Sequence, residues 1–209
     1  MREISIKNPQ LFELTSPEGK ACFGGHQDWY DEHWNQVAGC GPVAASNLVW
    51  YHAHAHGELR CLCGAPGKSF EDYRQVMDKM FEFITPGYGG IYNSGLFMPG
   101  LLEYCKALGA PMECDNLEIP KWPRRRPGVK KLREFLVRWL ETDNPVAFLN
   151  LSNGAVKLPD SWHWTTIYAL EVDKMTVKIS DEGRTYETDI AKWLLTSKLG
   201  GAFVALHKA

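Results

Sequence analysis

Cys40 stands in a sequence context that suits a nucleophilic thiol. It lies in Gly-Cys-Gly-Pro, directly before a run from Gly41 to His56 that holds no helix breaker after Pro42. Proline is favoured at the first helical positions, so this run predicts a helix that begins just after Cys40. The positive end of a helix and its free N–H groups stabilise a thiolate, the reactive form of cysteine. The competing interpretation is a small buried cysteine, because free cysteines are among the most buried residues.

A cysteine nucleophile also needs a base and a group that orients the base, and both are usually distant in sequence. His163 stands at the entrance to the predicted strand in SWHWTTIYALEV, and Asp181 ends the next predicted strand in MTVKISDEG. A hairpin with its loop over residues 172–174 would set Thr165 opposite Asp181. His163 and Asp181 would then be diagonal neighbours, roughly 7–8 Å apart at Cα, which side chains can bridge. A slip of one residue would move one of them to the other face of the sheet.

These motifs resemble those of papain-like cysteine peptidases, and specifically the bacteriocin-processing (double-glycine leader) peptidases and their intracellular relatives. The similar segments are CGPVAASNLVWY for the nucleophile helix, HWTTIYALE for the histidine strand, ISDEG for the aspartate turn and MPGLLEYCKALGA for a small middle helix. The resemblance spans roughly residues 35 to 207. It implies a papain-like fold in which Cys40 is the nucleophile, His163 the general base and Asp181 the orienting group.

The reaction implied is the hydrolysis of an amide bond in a peptide through a thioester acyl-enzyme. Phytochelatin-synthase-like transpeptidases share the order cysteine, histidine, aspartate, so transfer of the acyl group to an amine or thiol is an alternative. A non-catalytic relative that binds a peptide is another. The substrate and the oligomeric state stay open, because the sequence contains no signal for either.

The resemblance also implies an oxyanion-hole glutamine six residues before the cysteine. Trp34 occupies that place, and Asn35 and Gln36 follow it. A side-chain amide is a suitable donor to a developing oxyanion, so Gln36 is our choice, with the backbone N–H of Cys40 as its co-donor. Trp34 and Asn35 remain the alternatives.

The elements predicted around these residues are helices first and strands afterwards. Three helices follow the one after Cys40: Ser69 to Ile84, Pro99 to Leu108, and one that starts near Pro127. Beyond Pro145 the runs VAFLNL, WTTIYALEV, MTVKIS and AFVALH are rich in β-branched and aromatic residues, as strands are. This order predicts a single α+β domain over residues 1–209, in which a helical layer (about 35–142) packs on a largely antiparallel sheet (about 145–207).

Composition and charge exclude several classes of protein. The 209 residues are 44% hydrophobic and 23% charged, with a net charge of −2, as in ordinary globular proteins. The near-zero charge argues against nucleic-acid binding, so the basic stretch between Lys121 and Arg138 is interpreted as a solvated helix face. No apolar run reaches the roughly 18 residues that span a bilayer, and the start lacks a signal-peptide core. We therefore expect a cytoplasmic protein with reduced thiols and no membrane partner.

Five metal-capable side chains lie close together in sequence: His52, His54, His56, Cys61 and Cys63. His52 and His56 share a helix face, which makes a zinc site conceivable. The Cys-x-Cys spacing is tighter than the usual pair of zinc ligands, and the chain has no His-Glu-x-x-His. We therefore expect a polar helix end with neither metal nor cofactor.

The loop GYGGIYNSG is the other glycine-rich feature. It lacks the Lys-Ser/Thr ending of a phosphate-binding loop. We interpret it as a flexible rim that lines a substrate groove.

Overall fold

The computed structural model describes residues 2–64 and 67–208, which form a mixed α+β fold. The helices are α1 (His33–Ala38), α2 (Cys40–Ala55), α3 (Phe70–Phe83), α4 (Ser94–Ala107), α5 (Val129–Glu141) and α6 (Ile190–Thr196). The strands are β1 (Glu3–Ser5), β2 (Glu13–Thr15), β3 (Ala21–Phe23), β4 (Glu113–Ile119), β5 (Val146–Asn150), β6 (His163–Glu171), β7 (Thr176–Asp181), β8 (Arg184–Asp189) and β9 (Gly201–His207). Within the described residues, no helix combines the length and the apolar character needed to cross a membrane.

The main sheet is antiparallel and has seven strands in the order β4-β9-β5-β6-β7-β8, with β1 paired to β6. β5 pairs with the first half of β6 and β1 with its last residues, so both strands share one edge of β6. Strands β2 and β3 form a separate pair. The α+β class and the antiparallel sheet predicted from the sequence are confirmed.

Helices cover both faces of this sheet, whereas the sequence predicted one helical layer. Along β5, Val146 and Phe148 belong to the core beneath α5 and α6, while Ala147 and Leu149 belong to the core beneath α2, α3 and α4. Successive side chains of a strand point to opposite faces, so a strand buried on both sides is apolar throughout. The continuous apolar run in β5 is the sequence signal for this arrangement.

The helix boundaries follow the capping residues. Ser69 caps α3 and forms a capping box with Asp72, as the sequence predicted. α4 begins at Ser94 instead of Pro99, because the side chain of Asn93 accepts a hydrogen bond from the N–H of Leu96 and starts the helix earlier. Pro99 therefore lies inside the helix.

The hairpin between β6 and β7 has the predicted register where the site lies. Thr166 pairs with Ser180, which continues the register that sets Thr165 opposite Asp181. A β-bulge between Ile167 and Ala169 then shifts the pairing by one residue toward the turn. The loop is therefore longer than the predicted 172–174, and the bulge confines this difference to the end of the hairpin away from His163.

Candidate active site

Cys40 is the first residue of α2, a 16-residue helix whose residues from Gly41 to Ala53 are all buried. Gly39 joins it to α1, and a Cβ at Gly39 would overlap the carbonyl oxygen of Asn35 and the ring of Tyr30. The close turn between the two helices thus requires glycine. It leaves the Cys40 thiol partly exposed at the positive end of a helix that is held in the core.

His163 and Asp181 lie next to Cys40. His163 is the first residue of β6 and Asp181 the last of β7, and the two side chains are almost fully buried. His163 Nε2–H donates to Asp181 Oδ1 over 2.7 Å. Nδ1 is then the ring nitrogen available to Cys40, which lines the same cavity as His163. The structure thus brings together the three residues that the sequence singled out as nucleophile, base and orienting group.

A tight turn places Asp181 at the end of its strand. Asp181 pairs with Arg184, so Glu182 and Gly183 alone connect β7 to β8. Both have positive φ, 46° and 71°, which is the backbone of a type I′ hairpin turn. A glutamate in this conformation is strained, and such strain is typical of functional sites. The turn is held in place where the Gly183 N–H donates to the Gly25 carbonyl over 3.0 Å.

The electrostatics favour a charged imidazole. Burial by itself lowers the pKa of His163, because the imidazolium loses solvation. The hydrogen bonds and negative charges of Asp181 and Cys40 outweigh burial and raise the pKa of His163 well above its usual value. At neutral pH the imidazole of His163 is therefore protonated, and an imidazolium beside a cysteine favours the reactive thiolate form of that cysteine.

Three of the other five thiols have the opposite environment. Burial raises the pKa of Cys63, Cys105 and Cys114 to about 12. These thiols stay protonated at neutral pH and are poor nucleophiles. None of the three contacts a histidine–carboxylate pair of the kind found at Cys40 among the residues described.

The amide of Gln36, our choice for the oxyanion hole, is directed elsewhere. Gln36 Nε2 donates to the carbonyl of Tyr30 over 2.7 Å, and Gln36 does not line the cavity beside Cys40. Gln27 lines that cavity together with Cys40 and His163. The resemblance implies a glutamine six residues before Cys40, whereas Gln27 precedes α1 and is therefore farther from Cys40 in sequence. Its Oε1 is buried without a hydrogen-bond partner among the described residues.

Several contacts hold the segment that carries Gln27. The Gly25 N–H donates to Asn47 Oδ1 over 3.1 Å, and Asn47 Nδ2 donates to Thr166 Oγ1 over 3.1 Å. A Cβ at Gly25 would overlap the Tyr73 side chain, so this position requires glycine as well. Gln27 is thereby fixed relative to both α2 and the strand that begins with His163.

A groove of about 260 Å³ opens on the other side of Cys40. It is lined by Trp34, Val37 and Ala38 of α1, by Tyr88, Gly89, Gly90 and Ile91 of the glycine-rich loop, by Trp162 and by Cys40 itself. Trp162 has φ 59°, and its Nε1–H donates to the Gly89 carbonyl over 2.8 Å, so its indole forms one end of the groove. The glycine-rich loop therefore lies beside the candidate nucleophile, as the groove interpretation expected. Trp34 belongs to this groove and not to the cavity that Gln27 lines.

The histidine and cysteine cluster near residue 52 does not converge. His52 Nε2–H donates to the Leu206 carbonyl over 2.8 Å, and the ring of His54 packs against Trp50. Burial lowers the pKa of both histidines to about 4. Over residues 2–64 and 67–208, no three His, Cys, Asp or Glu side chains are placed to hold a metal ion. That the protein binds no metal stays a prediction.

Comparisons of the chain with models of protein families and with curated protein sequences gave no match.

Proposed function

We propose that the protein is a cysteine-dependent amide-bond hydrolase, a peptidase of papain-like type, that acts through a thioester acyl-enzyme. The observation that carries the proposal is the imidazole of His163, which is hydrogen-bonded to Asp181 and lines one cavity together with Cys40. A nucleophile, a base and an orienting group in this order are the minimum that covalent catalysis by cysteine needs. The helix start at Cys40 and the raised pKa of His163 add support, because both favour the thiolate–imidazolium pair.

In the first half of the reaction, Cys40 Sγ attacks the carbonyl carbon of the scissile amide. A C–S bond forms and the carbonyl oxygen becomes an oxyanion, to which the backbone N–H of Cys40 and the amide of Gln27 donate. The imidazolium of His163 then protonates the leaving nitrogen, the C–N bond breaks, and a thioester remains on Cys40. Asp181 keeps the Nε2–H of the ring in place, so Nδ1 faces the reacting atoms.

In the second half, neutral His163 takes a proton from a water molecule, which attacks the thioester carbon. The C–S bond breaks, the carboxylic acid leaves, and the thiolate–imidazolium pair is restored. An amine or a thiol in place of water would give acyl transfer by the same steps. We propose hydrolysis, and acyl transfer would be detected as peptides that gain the mass of the acceptor.

The role of Gln27 leads to a prediction that separates it from Gln36. Gln27→Ala should lower kcat/KM by about 10²–10³-fold, as the loss of one oxyanion donor does in other hydrolases. Alkylation of Cys40 by iodoacetamide should keep its rate, because no oxyanion forms in that reaction. Gln36→Ala is the matched control and should keep near-wild-type turnover. The reverse pattern would move the oxyanion hole to Gln36.

The proposed function is tested with a mixture of peptides from a protein digest. The wild-type protein and Cys40→Ala are incubated with the mixture, and new peptide termini are identified by mass spectrometry. The proposal expects new termini with the wild type only. Peptides that gain the mass of an added amine would indicate acyl transfer. No new termini, or the same termini with both proteins, would contradict an amide hydrolase, and binding without cleavage would favour a non-catalytic peptide-binding protein.

A further inference from the structure

The groove beside Cys40 is apolar and built largely from exposed aromatic side chains. Trp34 and Trp162 are 44% and 49% exposed, and Tyr88 is fully exposed. The rings of Trp34 and Tyr88 lie 6.1 Å apart, within the range of an aromatic pair. Large aromatic side chains left open to solvent in one place mark a binding surface. The described lining residues carry no Asp, Glu, Lys or Arg, so the groove offers a charged group no partner.

The position of His163 indicates which part of a substrate this groove would hold. His163 must reach the leaving nitrogen to protonate it, so the leaving group lies on the imidazole side of Cys40. His163 lines the cavity that contains Gln27 but does not line the aromatic groove. The groove is therefore on the acyl side, where the group bonded to Cys40 Sγ remains after the amine has left. Because Cys40 itself lines it, the first substrate residue it meets is the one that carries the attacked carbonyl.

We propose that this groove is the acyl-side subsite for a large apolar side chain, aromatic above all, on the residue whose carbonyl Cys40 attacks. The inference rests on the proposed function and adds a substrate class to it. The groove volume of about 260 Å³ is below the roughly 300–1,000 Å³ of sites for whole small-molecule ligands, and it suits a single side chain. A peptide ending in two glycines would have no side chain at its last two positions to contact the three aromatic rings.

Two peptidyl chloromethyl ketones that differ in one residue test this subsite. Acetyl-Ala-Ala-Phe and acetyl-Ala-Ala-Gly chloromethyl ketones are each mixed with the protein, and the alkylation of Cys40 is followed by intact mass and peptide mapping. The thiolate displaces chloride, so each event forms one C–S bond and releases one chloride ion. Iodoacetamide, which has no side chain to place in the groove, gives the reference rate. With the wild-type protein, the phenylalanyl reagent should react about tenfold faster than the glycyl reagent, because burial of an apolar side chain favours its complex.

Variants of the groove complete the test. Trp34→Ala and Tyr88→Ala should each reduce the preference for the phenylalanyl reagent several-fold, and both positions are exposed enough to leave folding intact. Trp122→Ala removes an exposed tryptophan that does not line the groove, and it should keep the preference. Equal rates for the two reagents, or a preference that survives both groove variants, would overturn the subsite while leaving the nucleophile in place. If iodoacetamide itself fails to modify Cys40 in the folded protein, the proposed function fails, and this inference fails with it.

Discussion

Replacement of Cys40 by alanine should remove all measurable turnover of any peptide that the wild-type protein cleaves. Cys40→Ala deletes the atom that forms the thioester, so no covalent intermediate can accumulate. The expected loss in kcat is on the order of 10⁶-fold, as for removal of a nucleophile in other triads. Cys40 is partly exposed and alanine is a good helix former, so the melting temperature should change little.

Cys61→Ala is the matched control for this substitution. Cys61 is also an accessible thiol, but it does not line the cavity with His163. It should keep wild-type turnover. Activity that survives in Cys40→Ala, or that disappears in Cys61→Ala, would show that the nucleophile has been assigned to the wrong thiol.

Replacement of His163 should be nearly as severe. His163→Ala removes the group that protonates the leaving nitrogen and later activates water, so turnover should again fall below detection. His163 is buried, and alanine there leaves a cavity, so a melting curve has to accompany the assay. His163→Gln keeps most of the volume and should be equally inactive. A folded His163 variant with near-wild-type turnover would contradict the mechanism.

Asp181→Asn should reduce the rate less than the loss of His163, by up to about 10⁴-fold, because it disturbs only the orientation and charge of the imidazole. The pH profile of the Asp181→Asn variant tests whether Asp181 acts on the imidazole of His163. The raised pKa of His163 keeps the imidazolium protonated at neutral pH, and activity is lost as the pH rises through that value. Removal of the Asp181 charge lowers this pKa, so the alkaline limb should move to lower pH. Glu182→Gln is the control, because it changes a neighbouring carboxyl that has no hydrogen bond to His163 among the described residues. It should reduce the rate much less than Asp181→Asn does. The opposite ranking would refute the role of Asp181.

The central geometry could be predicted from the sequence because it depends on regular elements. A helix that starts at Gly-Cys-Gly-Pro has Cys40 in its first turn, so the start of the helix is enough to position the thiol at the positive end. The period of two along a strand decides that His163 and Asp181 share a face, provided that the register is right. The bulge could have moved one of them to the opposite face, but it lies between Ile167 and Ala169, on the turn side of the site.

The oxyanion donor and the groove could not be predicted in the same way, because they depend on contacts between distant loops. Gln27 reaches the cavity because the preceding segment is held by Asn47 and by the turn at Gly183. The left-handed backbone of Trp162 turns its indole toward the glycine-rich loop, and neither feature has a periodic signal in the sequence. The prediction that α4 starts at Pro99 was wrong for a local reason. The cap at Asn93 starts the helix earlier and outweighs the usual preference of proline for the first turn.

The activation of Cys40 by a charged imidazole is tested most directly by the pH dependence of thiol alkylation. The folded protein is treated briefly with iodoacetamide between about pH 5 and 9, and the modified cysteine is mapped by mass spectrometry. An ordinary thiol has a pKa of about 8.5 and reacts little at pH 6. We expect Cys40 to be modified first of the six cysteines, to remain reactive at pH 6, and to lose that reactivity in His163→Ala. If Cys61 or Cys22 is modified first while Cys40 stays intact, or if Cys40 reacts only above about pH 8, the thiolate–imidazolium pair does not exist and the proposed chemistry is wrong.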